Sequence, residues 1–69
     1  MNEAEIGGVV FHIGDKVDWL RPDGEKVTRT VTGFSKNSRT GELCIKLESG
    51  FLFGSRAVAH GEVMLRTSG

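Results

Sequence analysis

The chain has 69 residues, and its nine Lys and Arg balance nine Asp and Glu. That length is one small domain, and the balance disfavours both a uniformly basic histone-like binder and an acidic nucleic-acid mimic. Hydrophobic residues make up 38% and charged residues 26%, which argues against a disordered chain.

The first segment, Met1-Asn2-Glu3-Ala4-Glu5, is acidic and has neither the basic region nor the apolar stretch of a signal peptide. No apolar run approaches the roughly 18 residues of a membrane span, so no membrane partner is expected. Residues 1–8 are predicted to be a flexible N-terminal segment, residues 9–67 a single small β-barrel and residues 68–69 a tail.

Glycine and one proline punctuate the chain. The first strand is predicted at Val9–Ile13, or continuous with Lys16–Arg21 across a kink at Gly14-Asp15. Asp15 is expected to bond that turn. Arg21-Pro22-Asp23-Gly24-Glu25 is a strong turn signal, because Pro presets φ, Asp bonds the local backbone and Gly accepts positive φ. Strands then follow at Lys26–Phe34, Glu42–Ser49, Phe51–Phe53 and Glu62–Arg66, rich in the Val, Ile, Thr and Phe that strands favour. Asn37–Gly41 is a polar hairpin loop. Ser55–His60 is predicted to make one 3₁₀ turn before the last strand.

Alternation assigns the faces. Leu43, Ile45 and Leu47 point one way and Cys44, Lys46 and Glu48 the other. Val17 and Trp19 share a face, and Val63 and Leu65 share a face opposite Met64 and Arg66. Trp19 is expected in the core, with a nucleobase platform as the other role for an aromatic there. Arg29 falls on an apolar face with Val27 and Val31, which a bulge or a position at the barrel mouth would resolve. Gly33 permits the sharp bend that lets Phe34 resume pointing inward.

The fold class that results is all-β, a five-stranded SH3-like antiparallel barrel. A two-sheet sandwich of about 100 residues does not fit the length. The Gly14-Asp15-Lys16-Val17 opening, the long glycine-bent strand, the hairpin and the short helical turn together resemble KOW-like and Tudor-like small barrels. Phe11-His12-Ile13-Gly14-Asp15-Lys16-Val17, followed by Val31-Thr32-Gly33-Phe34, resembles the opening of type II dihydrofolate reductase, also an SH3-like barrel. That family lines its active pore with Val-Gln-Ile-Tyr. Phe51-Leu52-Phe53-Gly54 stands there in this chain, so the resemblance implies fold rather than activity, and that enzyme is the remote alternative. Lys16-Val17 with Leu20-Arg21-Pro22 is similar to the start of the photosystem I accessory barrel subunit. Ser38-Arg39-Thr40-Gly41 resembles half of the PilZ motif for cyclic dinucleotides, without its paired arginines.

No catalytic constellation is legible, so the chain is expected not to be an enzyme. His12, Cys44 and His60 are scattered, without zinc-ligand spacing, and no metal or cofactor is expected. Cys44 permits no intrachain disulfide and fits a reducing cytoplasm, the predicted compartment.

Two binding readings remain. The leading one is a non-catalytic binding module that self-associates or docks on a protein. Ile6, Val10, Phe51, Leu52 and Phe53 are its candidate interface, because both faces of those segments are apolar and one small core holds only one face. The alternative is a nucleic-acid-binding regulatory module. Residues 20–56 carry seven Lys and Arg against four Asp and Glu, whereas residues 1–19 carry one Lys against four acids. Its candidates are Arg21, Lys26, Arg29, Lys36, Arg39, Lys46 and Arg56, centred on the hairpin Lys26–Arg39.

Overall fold

A computed structural model describes residues 2–66. The strands are β1 (Glu3–Ile6), β2 (Val9–His12), β3 (Lys16–Leu20), β4 (Lys26–Lys36), β5 (Leu43–Leu47), β6 (Leu52–Phe53) and β7 (Val63–Leu65). One helix, α1 (Ser55–Ala59), precedes β7. Every strand pair is antiparallel. The chain is therefore all-β apart from one short helix.

Seven strands replace the five expected. They form a two-stranded sheet, β1-β2, and a five-stranded sheet in the order β6-β5-β4-β3-β7. Of the two extra strands, one comes from the break at Gly14-Asp15 that makes β2 and β3 separate strands, and the other from residues 1–8, which were expected to be a flexible segment. Ala4 and Ile6 alternate with Glu3 and Glu5, and Gly7-Gly8 supplies positive φ at both positions of a two-residue hairpin turn (+62° and +83°). The strand forms because its apolar side chains are swallowed: Ala4, Ile6 and Phe11 are all buried. Residues 68–69, expected as a tail, lie outside the described residues, as does Thr67.

The two sheets share one core. Phe11, Val17, Val31, Ile45, Leu47 and Val63 are almost completely enclosed, and Ala4, Ile6 and Val58 complete the cluster. Full burial of a side chain such as Phe11 contributes about 1.5–3 kcal/mol.

β4 is the long strand, and its pairing with β5 slips between Val31 and Gly33. Val31 lies opposite Leu47 and Phe34 opposite Ile45. The extra residue, Thr32, resets the alternation, so Val31 and Phe34 share the inner face although three positions apart. The bulge lies beyond Arg29, which stays half-buried on the inner side with its Nη1 donating to the Thr28 carbonyl at 2.9 Å.

The five-stranded sheet is curled. Laid flat, β6 and β3 would stand about 14 Å apart, three strand spacings of about 4.8 Å. Yet the Trp19 ring on β3 and the Phe53 ring on β6 have centroids 5.4 Å apart. The outer strands β6 and β7 are not hydrogen-bonded to each other among the described residues, so the ladder does not close. α1 touches both of them instead.

α1 is an α-helix rather than the expected 3₁₀ turn, with Val58 N–H donating to Gly54 C=O and His60 N–H to Arg56 C=O. Gly54, its N-cap, has no side chain to cap it. Glu42, reaching from the start of β5, supplies the missing acceptor: its carboxylate takes the Ser55 backbone N–H (2.9 Å) and the Ser55 hydroxyl. A Cβ on Gly54 would lie 3.0 Å from that carboxylate, so the glycine makes the approach possible.

Candidate functional site

Trp19, Phe51 and Phe53 meet at one end of the inner face. Trp19 is the inward residue of β3 beyond Val17, and it lies opposite Val27 and Val63. It packs against the core yet stays half-buried. Its ring lies 4.7 Å from Phe51 and 5.4 Å from Phe53, with Phe51 and Phe53 6.4 Å apart. These tilted contacts are each worth about 0.5–1.5 kcal/mol beyond burial. The Arg21 guanidinium stands 6.0 Å from the Trp19 ring centre and also pairs with Asp23 at 3.8 Å. A cleft of about 460 Å³ opens beside the rings, lined by Trp19, Leu20, Arg21, Pro22, Phe53 and Glu62.

The candidate interface residues divide. Phe51 remains 49% exposed and Leu52 51%, although both adjoin a hydrogen-bonded strand. Phe53 is half-buried, and Val10 is exposed. Ile6 does not belong to any surface: it is 3% exposed, because the hairpin turns it inward opposite Val9.

The basic candidates do not converge on one groove. Lys26 lies beside Asp18, where its charge favours that carboxylate. Register puts Lys46 with Cys44 and Leu52 on one face of the β4–β5 ladder, and Lys36 on the other with Leu43 and Ile45. Arg21 serves Trp19, Arg29 folds onto its own strand, and Arg56 lies on α1 near Glu42. Arg39 is exposed at the hairpin tip, but its polar neighbours are already engaged. Asn37 Oδ1 accepts the Arg39 N–H (2.8 Å), and Thr40 Oγ1 accepts the Glu42 N–H (3.2 Å).

A polar group outside the predicted sites joins three strands. Asp18 Oδ1 accepts the Thr28 hydroxyl at 2.7 Å and Arg66 Nη1 at 3.2 Å, and Arg66 Nη1 also reaches Thr28 Oγ1 at 2.9 Å. The Thr28 hydrogen bond and then the Arg66 charge hold the Asp18 carboxyl below its ordinary value. Met64 and Leu20, both exposed, flank this group. Alternation already placed Met64 opposite Val63 and Leu65. That Met64 stays open to water required the tertiary arrangement.

The remaining reactive side chains have ordinary surroundings. Asp15 Oδ2 accepts the His12 backbone N–H at 2.8 Å, the turn bond expected of it. The His12 ring lies 3.7 Å from Glu3 and 3.6 Å from Asp15. Cys44 is buried, and desolvation followed by the Glu42 charge pushes its thiol pKa up, which disfavours the nucleophilic thiolate. Among the described residues, no group of three or more His, Cys, Asp or Glu is arranged to hold a metal ion. No helix there is long and apolar enough to cross a membrane.

Comparison with known proteins adds no relative. No protein-family model matches the chain, and neither a curated protein nor a solved structure matches it.

Proposed function

We propose that the chain is a non-catalytic binding module, an SH3-like barrel that docks on a protein through Trp19, Phe51 and Leu52. The barrel reading is supported by the meander order β6-β5-β4-β3-β7, the bulged β4 and the helical turn before the last strand. The single observation that carries the docking reading is the half-exposure of Phe51 and Leu52 on a molecule whose core already encloses nine side chains. The two lie on opposite faces at the edge strand β6, so a partner seated on that edge reaches both, and large apolar side chains left in water mark a contact site. The lone buried thiol suits action in the cytoplasm.

A hydrophobic dye tests this reading. Wild-type protein is expected to bind it, and Phe51→Ser with Leu52→Ser to lose most of that binding while keeping a cooperative melt. A folded wild type that binds no dye removes the basis of the reading.

One observation favours nucleic acid as the second reading. Lys36, Arg39 and Lys46 have no acidic partner within salt-bridge distance among the described residues. That reading expects oligonucleotide affinity that falls steeply with salt and is abolished by Lys36→Glu with Arg39→Glu. No binding at low salt would exclude it.

A further inference from the structure

We propose that a second copy of this chain seats its acidic N-terminal hairpin on the outer face of β3 and β7, so that copies associate head to tail. Register collects that outer face. Val17 on β3 and Val63 on β7 are enclosed in the core, so the alternate residues Lys16, Asp18, Leu20 and Met64 point out. On β4, Lys26 lies opposite Leu20 and Thr28 opposite Asp18. Arg66 reaches the same face through its 3.2 Å contact with Asp18. Met64, 59% exposed, and Leu20, 48% exposed, are among the large apolar side chains that the fold leaves in water. With Asp18, Lys26 and Arg66 they wall a cleft of about 460 Å³.

The charges on this face are unevenly spent. Asp18 is satisfied by Arg66 and by the Thr28 hydroxyl. Lys16 Nζ donates to Thr30 Oγ1 at 2.7 Å. Neither Lys16 nor Lys26 has a carboxylate within salt-bridge distance among the described residues. The face is therefore cationic around an apolar centre.

The complement lies in the same chain. Burial of Ala4, Ile6 and Phe11 leaves Glu3, Glu5, Val10 and His12 on the outside of the hairpin, with Glu5 opposite Val10 and Glu3 opposite His12. Glu5 has no ion pair among the described residues, and Glu3 has only the His12 ring at 3.7 Å. This face is acidic around one apolar residue. Both faces back onto the common core and look away from it, and among the described residues no ion pair joins them. A second copy brings them together. Val10 then seats on Leu20 and Met64, while Glu3 and Glu5 meet Lys16 and Lys26. Opposite charges across a contact select the partner and fix its orientation. The net charge of +0 removes the overall repulsion that keeps like chains apart. Because two different faces meet, the contact is heterologous and repeats, as a ring or an open chain. This inference does not use the aromatic surface.

Sedimentation equilibrium of the full chain in low salt, from about 10 μM to about 1 mM, measures the association directly. The average mass is expected to climb past two chains. It should fall back in about 1 M salt, where charges are screened beyond about 3 Å. Glu3→Gln with Glu5→Gln, and separately Lys16→Gln with Lys26→Gln, should each weaken association at least about tenfold. An unchanged thermal melt verifies the fold of each variant. Mixed together, the two variants should recover association but stop at a pair, because one keeps only its hairpin face and the other only its sheet face. Leu20→Ser with Met64→Ser should weaken association as well. Removing two other free cations, by Lys36→Gln with Lys46→Gln, should leave the mass curve unchanged.

A wild type that remains one chain at the highest concentration overturns the proposal. So does association that survives both charge-removing variants, a mixture that behaves like its separate components, or an equal loss in the Lys36 and Lys46 variant. If Lys16 and Lys26 are instead required to hold a single-stranded oligonucleotide on a chain that stays monomeric, the face serves phosphate and the proposal falls.

Discussion

The N-terminal hairpin and the Phe51–Phe53 segment pose the same problem in sequence: apolar residues on both faces of a short strand. The fold answers it differently in each. In the hairpin, Ala4, Ile6 and Phe11 enter the core, and only Val10 stays in water among the apolar residues of its two strands. The turn is held against α1, where Gly7 comes so close that a Cβ there would lie 2.8 Å from the Val58 Cβ and 2.9 Å from the Ser55 carbonyl. In the second segment Phe53 is half-buried against Trp19, while Phe51 and Leu52 remain about half in water. Apolar excess in a sequence thus predicts that something must cover it. Whether the cover lies in the same chain depends on whether another element reaches that side.

The comparison is broken most directly at Phe11. Phe11→Ala should cost about 3–5 kcal/mol in urea unfolding, a large part of the total stability of a domain this small. Phe51→Ala should cost less than half as much. Equal losses would mean that the two aromatics are equally structural and that the surface reading of Phe51 fails.

Gly7→Ala is next. A residue with a side chain at φ +62° is strained, and the added carbon meets Val58, so about 2 kcal/mol should be lost. Gly8→Ala has positive φ but open space, and should lose about half of that. A melt that ranks Gly8 above Gly7 would show that the hairpin is not docked on α1.

The helix cap sharpens the comparison through pH. The hydrogen bonds from the Ser55 hydroxyl and backbone N–H, and then the Arg56 charge, hold the Glu42 carboxyl below its ordinary 4.5. The folded state therefore takes up its proton at lower pH than the unfolded state. The resulting stability is full above the ordinary value and is lost as pH falls through the folded one. Melting temperature should drop in that acid window, and less so in Glu42→Gln. Asp18 contributes in the same direction, since its carboxyl is also held low. Identical acid melts for wild type and Glu42→Gln would discount the cap.

The smallest effect is expected at Leu52. Leu52→Ser removes a side chain already half in water, so unfolding should shift by no more than about 0.5 kcal/mol while dye binding falls.

Several features were legible residue by residue. The Pro22-Asp23-Gly24 turn forms as read: Arg21 N–H donates to Glu25 C=O at 2.8 Å, and Glu25 N–H to Asp23 Oδ1 at 2.9 Å. On β5, Ile45 and Leu47 are buried as alternation expects, while Cys44 on the opposite face is buried as well. β1 was missed although Gly7-Gly8 between Ile6 and Val9 is a hairpin signal, because four residues with two glutamates look solvated until a core is there to receive Ala4 and Ile6. Trp19 was legible as an inward residue. Its position at the edge of the core, facing two phenylalanines more than thirty positions along the chain, was not.

By itself, the order of residues determined the all-β class, most strand positions, the turns and the surplus of apolar side chains, because periodicity, propensity and turn chemistry act over a few neighbours. Tertiary structure alone decided which surplus was hidden. It placed Ile6 in the core, brought Trp19 to Phe51 and dispersed the basic residues over different faces. Each of those outcomes depends on which strands come to lie side by side, and that choice is made by the burial of the whole core at once.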